Sequence, residues 1–131
     1  MSDFGKKPHG VLEPKPKKGA YVFREPKGDP DMLFFSDHDG LMLILKASGL
    51  LSVQGYTARI VMMDDADAFD RQPVSYRKEV FSETIPVVFG YASDSETANR
   101  FRAYSGFVFS GDMDYEEFAR KALDEIKRNW V

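Results

Sequence analysis

Apolar residues recur along this chain at two spacings, and the spacing divides it. Between residues 20 and 91 they come in short runs rich in aromatic and β-branched side chains, broken by Gly, Pro and Asp. Such runs read as strands. They predict strands at Ala20–Arg24, Met32–Ser36, Tyr56–Met63, Val74–Phe81 and Ile85–Tyr91, with a short one at Phe107–Phe109. In Tyr56–Met63 a period of two puts Tyr56, Ala58, Ile60 and Met62 on one face, and Thr57 and Arg59 on the other. Val74, Tyr76 and Val80 alternate in the same way with Ser75, Arg77 and Glu79. Ile85–Tyr91 is apolar almost throughout, as in a central strand buried on both faces. Leu41–Ala47 fits two templates. Its Leu and Met content suits a helix, while its length and flanking glycines suit a buried strand. The strand reading makes Asp37–Gly40 a hairpin turn.

Beyond residue 92 the spacing becomes helical. Ser93 with Glu96 forms a capping-box pattern, Thr97, Phe101 and Tyr104 share one face, and Gly106 supplies a stop. A second helix is predicted over 114–129. Asp114 and Glu117 make its capping box, Met113 can staple to Phe118, and Tyr115, Phe118, Ala119, Ala122, Leu123, Ile126 and Trp130 repeat on one face. Strands first and helices last predict an α+β fold: an antiparallel sheet of about five to seven strands with two C-terminal helices packed on one face. Residues 1–18 contain Pro8, Pro14 and Pro16 and few apolar side chains, so they read as a flexible basic arm, with 19–131 as a single domain.

Composition narrows the chemistry. The 131 residues include no cysteine, which excludes disulfides, thiolate zinc sites, iron–sulfur clusters and cysteine nucleophiles. The longest apolar run, Leu41–Leu45, is far short of the roughly 20 residues that cross a bilayer. The first ten residues have no apolar core of the secretory kind, so a cytoplasmic location is expected. Aromatics make up 14% of the chain, enough to supply an aromatic core or a stacking surface. The net charge of −3 conceals an asymmetry. Residues 1–28 carry seven Lys/Arg against three Asp/Glu, and residues 29–70 carry two against eight. Lys15, Lys17 and Lys18 give the arm a cationic end suited to an acidic partner.

Two short segments carry candidate chemistry. Met32–Ser36 runs into Asp37, His38, Asp39, Gly40 and Leu41. An apolar strand ending in D-x-D-G resembles the first motif of the haloacid dehalogenase-type phosphotransferases. The resemblance implies Asp37 as a nucleophile toward phosphorus, Asp39 as acid/base, and a divalent cation between them. Carboxylates suit such a cation because Mg²⁺ takes hard oxygen ligands. Asp64 and Asp67, after another strand, complete the candidate metal set Asp37, Asp39, Asp64 and Asp67. In this chain Leu41 stands where that family has Thr, and the second acidic cluster follows only about 25 residues on. The other segment, Ser105, Gly106, Phe107, Val108 and Phe109, resembles the RNP1 strand of the RNA-recognition motif. That resemblance implies Tyr91, Phe107 and Phe109 as base-stacking rings, assisted by Arg100 and Arg102.

The remaining patterns are negative. No G-x-S-x-G, H-E-x-x-H, P-loop or strand-linked G-x-G-x-x-G occurs, and the histidines are only His9 and His38. No cofactor is expected, and no catalytic constellation is assigned. The expectation is a small accessory domain acting through protein–protein interaction with an unidentified partner, its oligomeric state open between monomer and homodimer. Nucleic-acid binding through the aromatic strands and the arm is the second reading. Divalent-metal phosphate chemistry at Asp37 and Asp39 is the third.

Overall fold

The computed structural model describes residues 18–129. Five strands form one sheet: β1 Ala20–Arg24, β2 Met32–Ser36, β3 Ala58–Met63, β4 Val87–Ala92 and β5 Phe107–Ser110, in the spatial order β1-β3-β2-β4-β5. Only β1 and β3 are antiparallel. The pairs β2–β3, β2–β4 and β4–β5 are parallel. Parallel neighbours need crossovers, and helices supply them. These are α1 Leu41–Val53, α2 Ala66–Asp70, α3 Val74–Val80, α4 Ser95–Phe101 and, after β5, α5 Tyr115–Asn129. The fold is therefore α/β with interleaved helices, and the expected antiparallel α+β sheet with two helices on one face is wrong.

Two segments account for the error. Leu41–Ala47 is not a strand but the first half of a 13-residue helix, so Asp37–Gly40 opens a crossover instead of closing a hairpin. Leu, Met, Lys and Ala are all good helix formers, and Gly49 is absorbed inside α1, facing open space. Val74–Val80 is also helical. There Tyr76 and Val80, at i and i+4, pack inward, while Val74 is 55% exposed. The alternation of Val74 with Tyr76 was thus accidental. Arg59 holds α3 in place. It forks onto Glu25 at 2.9 and 2.7 Å and donates to the carbonyls of Glu79 and Val80 at 2.9 and 3.0 Å.

The sheet is buried on both faces, which explains why β2 and β4 are apolar at successive positions. Leu33, Phe35, Val61 and Met63 meet Phe69, Val80 and Phe101 from α2, α3 and α4 on one side. Met32, Phe34, Ile60 and Phe89 meet Ile44, Leu51, Phe118 and Ile126 from α1 and α5 on the other. The cap of α5 is as expected: Asp114 Oδ1 accepts from Glu117 N at 2.8 Å, and Met113 joins the cluster around Phe118. The cap of α4 is shifted by one. Asp94, not Ser93, accepts from Thr97 N at 2.8 Å. That leaves Ser93 free for a different role.

Candidate functional site

Open parallel sheets bind ligands outside the carboxyl ends of their strands, where the chain's direction of travel reverses. Here β2 leads through α1 to β3 on one side, and β4 leads through α4 to β5 on the other. The reversal lies between the ends of β2 and β4. Ser36 and Asp37 finish one strand, Ala92 and Ser93 the other.

Asp37 closes this gap. Its Oδ1 accepts from Gly40 N at 2.9 Å and thereby caps the 3-10 turn His38–Gly40 that starts the crossover. Its Oδ2 accepts from Ser93 N at 2.9 Å and Ser93 Oγ at 2.7 Å. Under this bridge the Tyr91 ring lies so close to Gly40 that a Cβ there would come within 2.5 Å of Tyr91 Cδ2. The Tyr91 hydroxyl donates to Gly111 O at 2.5 Å, and burial first, then Asp37 and Asp112, push its pKa up. The two strand ends at the switch point are thus tied together by the protein's own side chains. Replacing Asp37 by Ala removes a charged acceptor for three donors. The expected cost is roughly 2–3 kcal/mol, read as a lowered urea midpoint. A midpoint equal to the wild type's would show that the bridge does not hold the two strand ends.

One strand over, a cleft of about 290 Å³ opens between the residues after β3 and helix α4, lined by Asp64, Asp65, Glu96, Thr97 and Arg100 among others. Asp64 reaches solvent, yet the protein packed around its base pushes its pKa up, with His38 opposing and Asp37 adding to the rise. Arg100 is spoken for by Asp67 at 2.7 Å.

The candidate metal residues are thus engaged differently and are not gathered into one site. Asp37 is consumed by Ser93 and Gly40, Asp67 by Arg100, Asp39 lies in the exposed first turn, and Asp64 stands in the cleft. Among the described residues no group of three or more His, Asp or Glu is arranged to hold a metal ion. The proposed stacking residues are not assembled. Phe107 and Phe109 lie on the sheet face covered by α5, and the exposed Phe107 stacks on Phe89 at 4.9 Å. Tyr91 is buried, and Arg100 and Arg102 belong to or follow α4, which packs on the opposite face. Arg102 is turned to Asn99 Oδ1 at 2.9 Å and Val108 O at 3.4 Å. Of the arm residues, Lys15 and Lys17 lie outside the described residues, and Lys18 sits 4.6 Å over the Tyr76 ring. Ser93, Tyr91 and Gly40 were missed as partners of Asp37. Their separation of more than 50 residues in the first two cases carries no local signal. No helix among the described residues is long and apolar enough to cross a membrane.

Comparison with known proteins gives this arrangement a family. The family model described as the transketolase-like TK C-terminal domain matches residues 19–113, which take in the whole sheet and α1 to α4. Transketolase 1 of Escherichia coli K12 is 32% identical over 68 residues, 52% of this chain and 10% of that protein. The transketolase of Aquifex aeolicus is 33% identical over 73 residues, 56% of this chain and 10% of that protein. The chain therefore spans about a tenth of the length of these curated relatives. Among solved structures, transketolase from Leishmania mexicana superposes with a TM-score of 0.74 at 21% identity, over 86% of this chain and 18% of that one. A Pichia stipitis transketolase solved with xylulose 5-phosphate gives 0.73 at 21% identity, over the same shares of each chain. At that identity the superpositions speak for the fold. The family match overturns the expectation of a generic protein-binding domain of unassigned function, and with it the nucleic-acid and metal–phosphate alternatives.

Proposed function

The chain belongs to the transketolase-like C-terminal domain family, and on that premise we propose that it serves as the accessory domain of a transketolase-type enzyme in the cytoplasm. The observation that carries this reading is the extent of the family match: it runs from the residue before β1 to beyond β5 and includes every crossover of the sheet. A chance motif would cover a few residues. The bridged switch point supports the accessory role. Asp37 is bonded to Ser93 and Tyr91 packs on Gly40, so the groups at the two strand ends are engaged with each other. In this proposal turnover of a sugar phosphate, such as the xylulose 5-phosphate bound in the Pichia stipitis structure, belongs to the assembly and not to this domain alone.

The test is isolation of the tagged full chain from its own host at native abundance, followed by identification of the polypeptides that accompany it. A transketolase-type catalytic polypeptide in stoichiometric amount is expected. Recovery of the chain with no such polypeptide, under conditions that preserve other enzyme complexes, would contradict the reading.

A further inference from the structure

We propose that the Asp39–Gly40 linkage is a site of spontaneous covalent modification, isomerisation of aspartate through a cyclic imide, and that the Asp37–Ser93 bridge holds it silent. The chemistry needs an aspartate whose Cγ can be reached by the amide nitrogen of the next residue. Glycine is the most permissive such neighbour, because it has no Cβ to hinder the approach and its backbone turns freely. Asp39–Gly40 is the one place in the 131 residues where Asp or Asn precedes Gly, and Asp39 is exposed to the water that the reaction uses. In the first step Gly40 N attacks Asp39 Cγ, its proton passes to solvent, and a carboxyl oxygen leaves as water, closing a five-membered imide. Water then opens the ring. Attack at Cγ restores aspartate. Attack at the main-chain carbonyl leaves the chain running through Cγ, with the former α-carboxyl free.

The attacking atom is the one that the structure ties down. Gly40 N–H donates to Asp37 Oδ1 at 2.9 Å and to Asp37 O at 3.2 Å. A carboxylate in that position aims the N–H away from Asp39 and opposes the negative charge that the nitrogen develops as it loses its proton. Asp37 is fixed in turn by Ser93 N at 2.9 Å and Ser93 Oγ at 2.7 Å. The backbone adds a second restraint. His38–Gly40 is a 3-10 turn, and closing the imide requires Asp39 ψ to leave the helical value. Gly40 has no room to follow such a rotation. A Cβ on it would stand 2.5 Å from Tyr91 Cδ2 and 3.1 Å from Ser36 Cβ. For the same reason the isomerised chain, one methylene longer in its main chain, does not rebuild this turn, and the modification unties the ends of β2 and β4.

This inference is independent of the transketolase reading and is tested on the purified full chain. The chain is incubated at neutral pH, and isoaspartate is read by methyl transfer from S-adenosylmethionine with a protein isoaspartyl methyltransferase, then located by peptide mapping. The urea-unfolded chain should gain isoaspartate at Asp39, and the folded wild type should gain it far more slowly. Asp37→Ala should raise the folded rate by about tenfold or more, since a hydrogen bond to a charged acceptor is worth at least that factor. Ser93→Ala should raise it less, because Ser93 N still holds Asp37 Oδ2. Val87→Ala is the control for general loosening. It empties a buried site at the opposite end of β4 and should keep the wild-type rate while circular dichroism shows the chain folded. No isoaspartate at Asp39 in the unfolded chain, a folded wild type as reactive as the unfolded one, no rise in Asp37→Ala or Ser93→Ala, or an equal rise in Val87→Ala would overturn the proposal.

Discussion

Phe118→Ala is expected to lower stability by about 3–5 kcal/mol, the usual cost of emptying a fully buried aromatic site. The ring is 0% exposed and stands edge-on to three others: Phe34 at 5.0 Å, Phe89 at 5.8 Å and Phe109 at 6.2 Å. It is the residue through which α5 grips β2, β4 and β5 together. Closing the hole would require three strands to shift, so little of the cavity can collapse. Domains of this size hold only about 5–15 kcal/mol in total, so the melting temperature should drop by roughly 10–20 °C. Lys127→Ala, on the exposed side of the same helix, should move stability by no more than about 0.5 kcal/mol. Equal effects from the two substitutions, measured by thermal or urea unfolding, would mean that α5 presents a different face to the sheet.

Gly90→Ala is expected to cost about 3 kcal/mol although it adds a single methyl group. Gly90 lies in the interior strand β4, paired with Phe35 of β2. A Cβ at this position would come within 2.5 Å of Phe35 Cζ and 2.7 Å of its Cε1. The Phe35 ring cannot retreat. It is 0% exposed and wedged between Phe81 and Phe101, each about 5.1 Å away. Overpacking against such a neighbour typically costs 1–3 kcal/mol, and this ring leaves the upper end of that range. The clash has a partner that can be removed. Phe35→Leu deletes Cζ and both Cε atoms, so in that background Gly90→Ala should cost less than about 1 kcal/mol. Contacting residues couple in this way, whereas distant ones add. Additive losses in the double variant would show that the two residues do not meet.

The contrast between these two residues shows what the amino-acid pattern reveals and what it hides. Phe118 is legible. A capping aspartate, a staple methionine and a 3.6-residue stripe all point it inward, and the structure buries it. Gly90 is not legible, because its constraint comes from a ring more than 50 positions away in the chain. The same division runs through the fold. The strands at 20–24, 32–36 and 107–110 and the interior strand β4 stand close to where their β-branched and aromatic runs predict them, though the centre of the sheet is β2. The direction in which those strands pair was lost with α1. Leucine, methionine and isoleucine in an unbroken run satisfy a buried strand and a buried helix equally, and the choice between them decides whether β2 and β3 are joined by a hairpin or a crossover. Reading that one segment as helix turns the β2–β3 pair from antiparallel to parallel. The candidate site divides likewise. Asp37 draws the eye at a strand end, but its chemistry is set by Ser93, and a bridge between two strand ends looks in sequence like any other acidic turn.

The proposed role within a transketolase-type enzyme is measured most directly by consumption of xylulose 5-phosphate in the material isolated through the tagged chain. The eluate should turn over this sugar phosphate, and the lysate from which it was drawn should lose the same activity in proportion to the chain removed. An inactive eluate, drawn from a lysate that keeps its full activity, would contradict that role.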